Sequence, residues 1–134
     1  MLHDPGSPAA WMRYARSDLA LARKRDDGEV LLETLCFHAQ QAVEKSVKAV
    51  LVHFGVDFPR VHSIERLVDL LPPEITRTTE LLAAADLSDY ATVFRYPGSE
   101  EPVSEREYSD AVRLAEAAVA WAEGTVAARR QPPS

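Results

Sequence analysis

Cys36-Phe37-His38-Ala39-Gln40-Gln41-Ala42-Val43-Glu44-Lys45-Ser46-Val47-Lys48-Ala49-Val50-Leu51 decides the fold of this chain. Leu32, Cys36, Ala39, Val43, Val47, Val50 and Phe54 recur at steps of three and four, which lines them along one stripe of an α-helix. The remaining face holds His38, Gln41, Glu44, Lys45 and Lys48 at the same kind of spacing. Apolar and small residues cover more than half of the helical wheel, so the helix should be central to its fold. A central helix that keeps an ordered polar row needs a reason for it, and that row is the first candidate for function.

The chain has 134 residues, 46% of them hydrophobic, which fits one domain with a real core. Its single cysteine, Cys36, lies on the apolar stripe and reads as an inert core thiol. The first residues show neither a basic segment nor an apolar one of the kind a signal peptide carries. Apolar runs are far shorter than the roughly 20 residues of a membrane span. These features predict a cytoplasmic protein with no membrane attachment. A formal net charge of −6 disfavours broad binding to a phosphate backbone, although a local basic groove is compatible with it.

Working outward, Ser7-Pro8 is a good helix start, with serine as N-cap and proline at the first helical position. A first helix is expected from about Ala9 to Arg25, with Trp11, Ala15, Leu19 and Ala22 inward. Asp26-Asp27-Gly28 breaks it, and Asp27 can cap a second helix from about Glu29 to Phe54. Gly55 suits a left-handed C-terminal cap. Ser63 caps a short third helix carrying Ile64, Leu67, Val68 and Leu71, which Pro72-Pro73 stops. A fourth helical region is expected from Glu74 to Phe94, with an interruption allowed at Thr76 to Thr79. Ser104-Glu105-Arg106-Glu107 is a capping box. The last helix repeats Tyr108, Val112, Ala115, Val119, Ala122 and Val126 at steps of four and three.

No segment alternates with period two over strand length. The fold class is therefore all-α, an up-and-down four-helix bundle with one additional short helix. The domain would occupy residues 9–128, between an N-terminal lead of residues 1–8 and a tail of residues 129–134. A second stripe on the last helix, Leu114, Ala118 and Trp121, together with Phe37 and Val52, suggests a homodimer interface, with extra core as the alternative.

Glycine-rich phosphate loops, H-E-x-x-H, paired CxxC and G-x-S-x-G are all missing from the sequence. His3, His38, His53 and His62 lack ligand spacing on one helix face, so no metal and no cofactor is expected. Three features remain. Glu44 and Lys48 form an i,i+4 pair in the favourable orientation. His62 precedes the cap residue Ser63, where it can bond loop carbonyls. Arg95-Tyr96-Pro97 places a guanidinium at a backbone exit fixed by proline, suited to a bidentate contact with phosphate or carboxylate. An internal ion pair from Arg95 to Glu44, Asp86 or Asp89 is the structural alternative.

Phe37-His38-Ala39-Gln40-Gln41-Ala42-Val43-Glu44-Lys45, then Lys48-Ala49, Gly55-Val56 and His62, resembles the core signature of the HEPN domain (higher eukaryotes and prokaryotes nucleotide-binding). Leu87-Ser88-Asp89-Tyr90 followed by Arg95-Tyr96-Pro97-Gly98 resembles its second signature. The resemblance implies a helical bundle that usually dimerises. In the stand-alone prokaryotic type it often implies work beside a separate small nucleotidyltransferase, and in some members a role in a toxin–antitoxin pair. Many members are metal-independent ribonucleases with an arginine, four to six residues, then histidine. Here the positions after Arg95 hold Glu100, Glu101 and Pro102 instead. General acid–base cleavage is best served by histidine, so the chain reads as no enzyme by itself.

The expectation is thus a nucleotide-binding or regulatory subunit. Arg95 would hold phosphate, with charge added by Lys45 and Lys48. Hydrogen bonds or stacking would come from His38, Gln41 and Tyr96, and support from Glu44, His62 and Pro97. The alternatives are a ribonuclease toxin with a rearranged site, in which RNA is the substrate, and a non-catalytic dimeric interaction module.

Overall fold

The computed structural model describes residues 6–25, 28–92 and 102–129. Among them there is no strand. The first helix, α1 (Pro8–Ala22), starts where Ser7 Oγ accepts the Ala10 N–H at 3.0 Å, with Pro8 in the first turn. It ends three residues before the expected Arg25. The Ala22 carbonyl, which a further turn would need, accepts the buried Tyr108 hydroxyl at 2.7 Å instead. That bond ties the end of α1 to the last helix.

The central helix α2 (Leu32–His53) begins later than Glu29. Gly28 sits at φ +111° and residues 28–30 bend. Its N-cap is Leu31, which offers no side-chain bond; the expected cap Asp27 lies outside the described residues. Its other end follows the sequence closely. Gly55 has φ +70°, its N–H bonds the Val52 carbonyl at 3.0 Å, and the Val56 N–H bonds Leu51 at 2.9 Å. This is a Schellman motif, and only glycine adopts that conformation without strain.

Next comes the short α3 (Ile64–Asp69), capped by Ser63 and a second time by Ser88, whose Oγ accepts the Ile64 N–H at 2.8 Å. The helical region expected from Glu74 is interrupted at the threonine-rich stretch, as allowed there, and the break extends back to Pro72. Residues 72–78 are irregular, α4 (Thr79–Ala84) starts on a Thr78 cap, a 3₁₀ turn spans Ala85–Ser88, and α5 (Asp89–Thr92) follows. Phe94 lies outside the described residues. Arg77 explains the break. Its guanidinium donates to the carbonyls of Val68, Leu71, Pro72 and Ile75 at 2.7–3.3 Å. One cation thereby satisfies the open end of α3 and the proline turn.

The last helix, α6 (Glu105–Arg129), opens on the expected capping box. The Ser104 N–H bonds Glu107 Oε1 at 3.0 Å and the Glu107 N–H bonds Ser104 Oγ at 3.1 Å. Packing is most extensive between antiparallel α1 and α2, then between α2 and α6, with α4 covering another side of α6. Cys36, Ala39, Val43, Val47 and Val50 are all fully buried, as the stripe requires. The second stripe on α6 is used within the chain. Leu114 and Ala118 are buried, and the Trp121 indole donates to the Thr76 carbonyl at 3.0 Å. Within the chain these residues serve as extra core.

Arg77→Met should lower unfolding stability by about 2 kcal/mol, because it leaves several carbonyls short of a charged donor. Urea unfolding followed by circular dichroism measures it; an unchanged midpoint would show that the four bonds contribute nothing net.

Candidate functional site

The polar row of α2 is not a solvated face. Gln40 and Glu44 are buried, with 0% and 2% exposure, and Lys48 is nearly so. The row divides into two clusters, each built on one carboxylate.

The inner cluster centres on Glu44. Its carboxylate accepts Lys48 Nζ at 2.8 Å and Gln40 Nε2 at 2.9 Å, and His62 Nδ1 lies 3.1 Å from it. Gln40 also reaches the His62 carbonyl at 3.4 Å. The predicted i,i+4 pair is therefore present, but inside the protein. His62 spends its ring on Glu44 and not on loop carbonyls. Lys48 is turned inward, its Nζ 5.5 Å from the centre of the Trp11 ring and 5.6 Å from that of Phe58. This ammonium is held by a carboxylate and two aromatic faces, so its geometry is that of a core element and not of a ligand contact.

Burial alone would push the Glu44 carboxyl up. Hydrogen bonds from Lys48 and Gln40, the Lys48 charge and the His62 bond outweigh it and hold the group below its ordinary value.

The outer cluster centres on Asp18 of α1, a residue the sequence reading passed over. Its carboxylate bridges His38 Nδ1 at 2.9 Å and Lys45 Nζ at 2.6 Å. Asp18 is 8% exposed, although it follows the exposed Ser17 on the helix. One signal could have found it: position 18 falls on the same inward stripe as Ala15 and Ala22. A carboxylate on an apolar stripe requires partners. Around this cluster, Lys45 Nζ lies 5.8 Å from the Tyr14 ring centre and Phe37 packs edge-on against His38 at 5.4 Å. Tyr14 and Phe37 are both exposed, at 64% and 38%. Gln41, half-buried between the two clusters on α2, donates to Gln40 Oε1 at 2.7 Å and so joins the inner one. The structure thus brings His38, Gln41 and Lys45 together on the open α1–α2 face. Arg95, Tyr96 and Pro97 lie outside the described residues. No group of three His, Cys, Asp or Glu among the described residues could hold a metal ion. No described helix is long and apolar enough to cross a membrane.

These features define a helical bundle whose central helix carries carboxylate-anchored polar clusters. The sequence profile of the HEPN domain matches residues 9–125, and the chain belongs to the HEPN family. The structure is similar to the crystal structure of ST0689, an archaeal HEPN homologue, with a TM-score of 0.70 and 28% identity over 90% of this chain and 98% of that one. It is also similar to TT1696 from Thermus thermophilus, with a TM-score of 0.76 and 28% identity over 88% of this chain and 97% of that one. No curated protein sequence matches the chain.

Because the Glu44 carboxyl is depressed in the fold, the unfolded chain binds more protons at this group between the depressed and the ordinary carboxylate value. Stability from it is complete above the ordinary value and is lost as pH falls through the depressed one. Glu44→Gln should flatten that part of the acid limb of a stability–pH curve measured by chemical denaturation. An acid limb identical to that of the parent would show that Glu44 is not its source.

Proposed function

We propose that this chain is a nucleotide-binding or regulatory subunit that acts with a separate small nucleotidyltransferase. The observation that carries the reading is the outer cluster. Two exposed aromatic rings, Tyr14 and Phe37, lie against the Lys45 amine and the His38 imidazole, and Gln41 falls on the same side of α2. Aromatic faces stack bases of any sequence, worth about 1–3 kcal/mol per base. Lys45, His38 and Gln41 supply charge and hydrogen bonds beside them. In this reading Arg95 and Tyr96 add a guanidinium and a further ring, as the family resemblance implies. Lys48, locked to Glu44, acts behind the site by fixing α2.

Isothermal titration of the protein, alone and with its nucleotidyltransferase, should show saturable binding of ATP or GTP. Lys45→Ala, Tyr14→Ala and Arg95→Ala should each weaken it, by roughly tenfold where a stacked base is lost. No heat with either preparation would remove the reading.

The reading includes a homodimer. Leu21 and Leu31 are 43% and 63% exposed, and Leu21 lies one turn beyond Asp18. Light scattering at micromolar concentration should give twice the chain mass; a monomer mass would exclude the dimer.

A further inference from the structure

We propose that His38 Nε2 is an acceptor of phosphoryl groups, forming a phosphohistidine on the outer face of α2. The ring is held through one nitrogen only. Nδ1 lies 2.9 Å from Asp18 Oδ1. A carboxylate accepts and does not donate, so Nδ1 carries the proton and the lone pair of the neutral ring sits on Nε2. Among the described residues nothing bonds Nε2, and 27% of the side chain is open to solvent. Asp18 cannot swing away easily, because its second oxygen is fixed 2.6 Å from Lys45 Nζ. An oriented imidazole nitrogen with a free lone pair is a nucleophile, and the Lys45 amine on the same carboxylate supplies a cation to its cluster.

The surroundings also suit the product. Gln41 and Lys45 follow His38 by three and seven residues, on the same side of the helix. Both are donors for phosphoryl oxygens. In the transfer, the Nε2 lone pair attacks phosphorus and an Nε2–P bond forms. The bond from phosphorus to the leaving group breaks and takes its electron pair with it. The Nδ1 proton stays in place, and Asp18 balances the positive charge that develops on the ring. When the donor is phosphoramidate, its ammonium nitrogen departs as neutral ammonia.

His62 is the internal comparison. Its Nδ1 also faces a carboxylate, but the contact is divided between two Glu44 oxygens at 3.1 and 3.3 Å. That carboxylate is already engaged by Lys48 and Gln40. The nearby ammonium of Lys48 is directed at Trp11 and Phe58 and not outward. His62 is more exposed than His38, at 63%, so exposure alone would favour it, whereas orientation and counter-charge favour His38.

The acceptor role uses the same cluster as the nucleotide reading but does not depend on it, since the probe contains no nucleoside. The intact protein is incubated with phosphoramidate, and the modified residue is located by mass spectrometry under neutral conditions. One acid-labile phosphoryl group should appear on His38. It should be absent from His38→Gln and largely lost from Asp18→Asn. Nitrogen NMR of the unmodified protein should show the Nδ1–H tautomer at His38, shifting toward Nε2–H in Asp18→Asn. Label on His62 equal to or above that on His38 would overturn the proposal. So would an unlabelled His38 or an Nε2–H tautomer in the parent protein. The parent measurements decide the matter even where Asp18→Asn fails to fold.

Discussion

The buried ion pair of Glu44 and Lys48 constrains everything around it. Two charges taken out of water cost several kcal/mol each unless geometry and extra hydrogen bonds compensate. Here the compensation comes from three parts of the chain at once: Gln40 on the same helix, His62 from the loop before α3, and the Trp11 and Phe58 rings from α1 and the loop after α2. A buried pair of this kind is weak support for stability as such. Its consequence is register: α1, α2 and the loop of residues 55–63 can satisfy the pair in one relative position only. Sliding α1 by one turn would move Trp11 off Lys48 and Asp18 off His38 and Lys45 together.

Most of the helices are legible in the sequence because their ends are chemical. Ser7-Pro8, Gly55, Ser63 and the Ser104–Glu107 box each satisfy a specific orphan group, and such signals are local. The late start of α2 is local, set by the bend at Gly28, but the other misplaced boundaries are decided from far away. The end of α1 is set by a hydroxyl 86 residues on, at Tyr108. The broken region after α3 is set by Arg77, whose four acceptors lie up to nine residues back along the chain. Thr76, Thr78 and Thr79 allow an interruption there, but nothing local shows that the chain wraps around a guanidinium.

The polar row is legible as a row but not as two clusters. Periodicity puts His38, Gln41, Glu44, Lys45 and Lys48 on neighbouring positions, and it cannot say which of them meets another helix. Glu44 lies closer to the apolar stripe, and Lys48 is drawn inward by its bond to Glu44 and by the Trp11 and Phe58 rings. His38 and Lys45 lie farther round and remain open. Asp18 is not legible, because a single acid in the sequence Arg16-Ser17-Asp18 has the look of ordinary surface. Its role emerges only once α1 lies against α2.

That division of labour between the carboxylates follows from burial. Glu44 is closed in by its own helix and a loop, and Lys48, its main partner, is held inward against two rings, so this cluster fixes structure. Asp18 is buried too, but the groups it holds are not: His38 and Lys45 keep 27% and 24% of their side chains open. A carboxylate that is itself immobile, and whose two partners reach solvent, orients those partners without consuming their outward atoms. Both carboxylates bear on the same stretch of α2, Glu44 through Lys48 and Gln40 and Asp18 through His38 and Lys45. A rigid helix presenting an oriented imidazole, an amine and two aromatic rings is a preorganised surface. It meets an incoming anion or base with little further ordering to do.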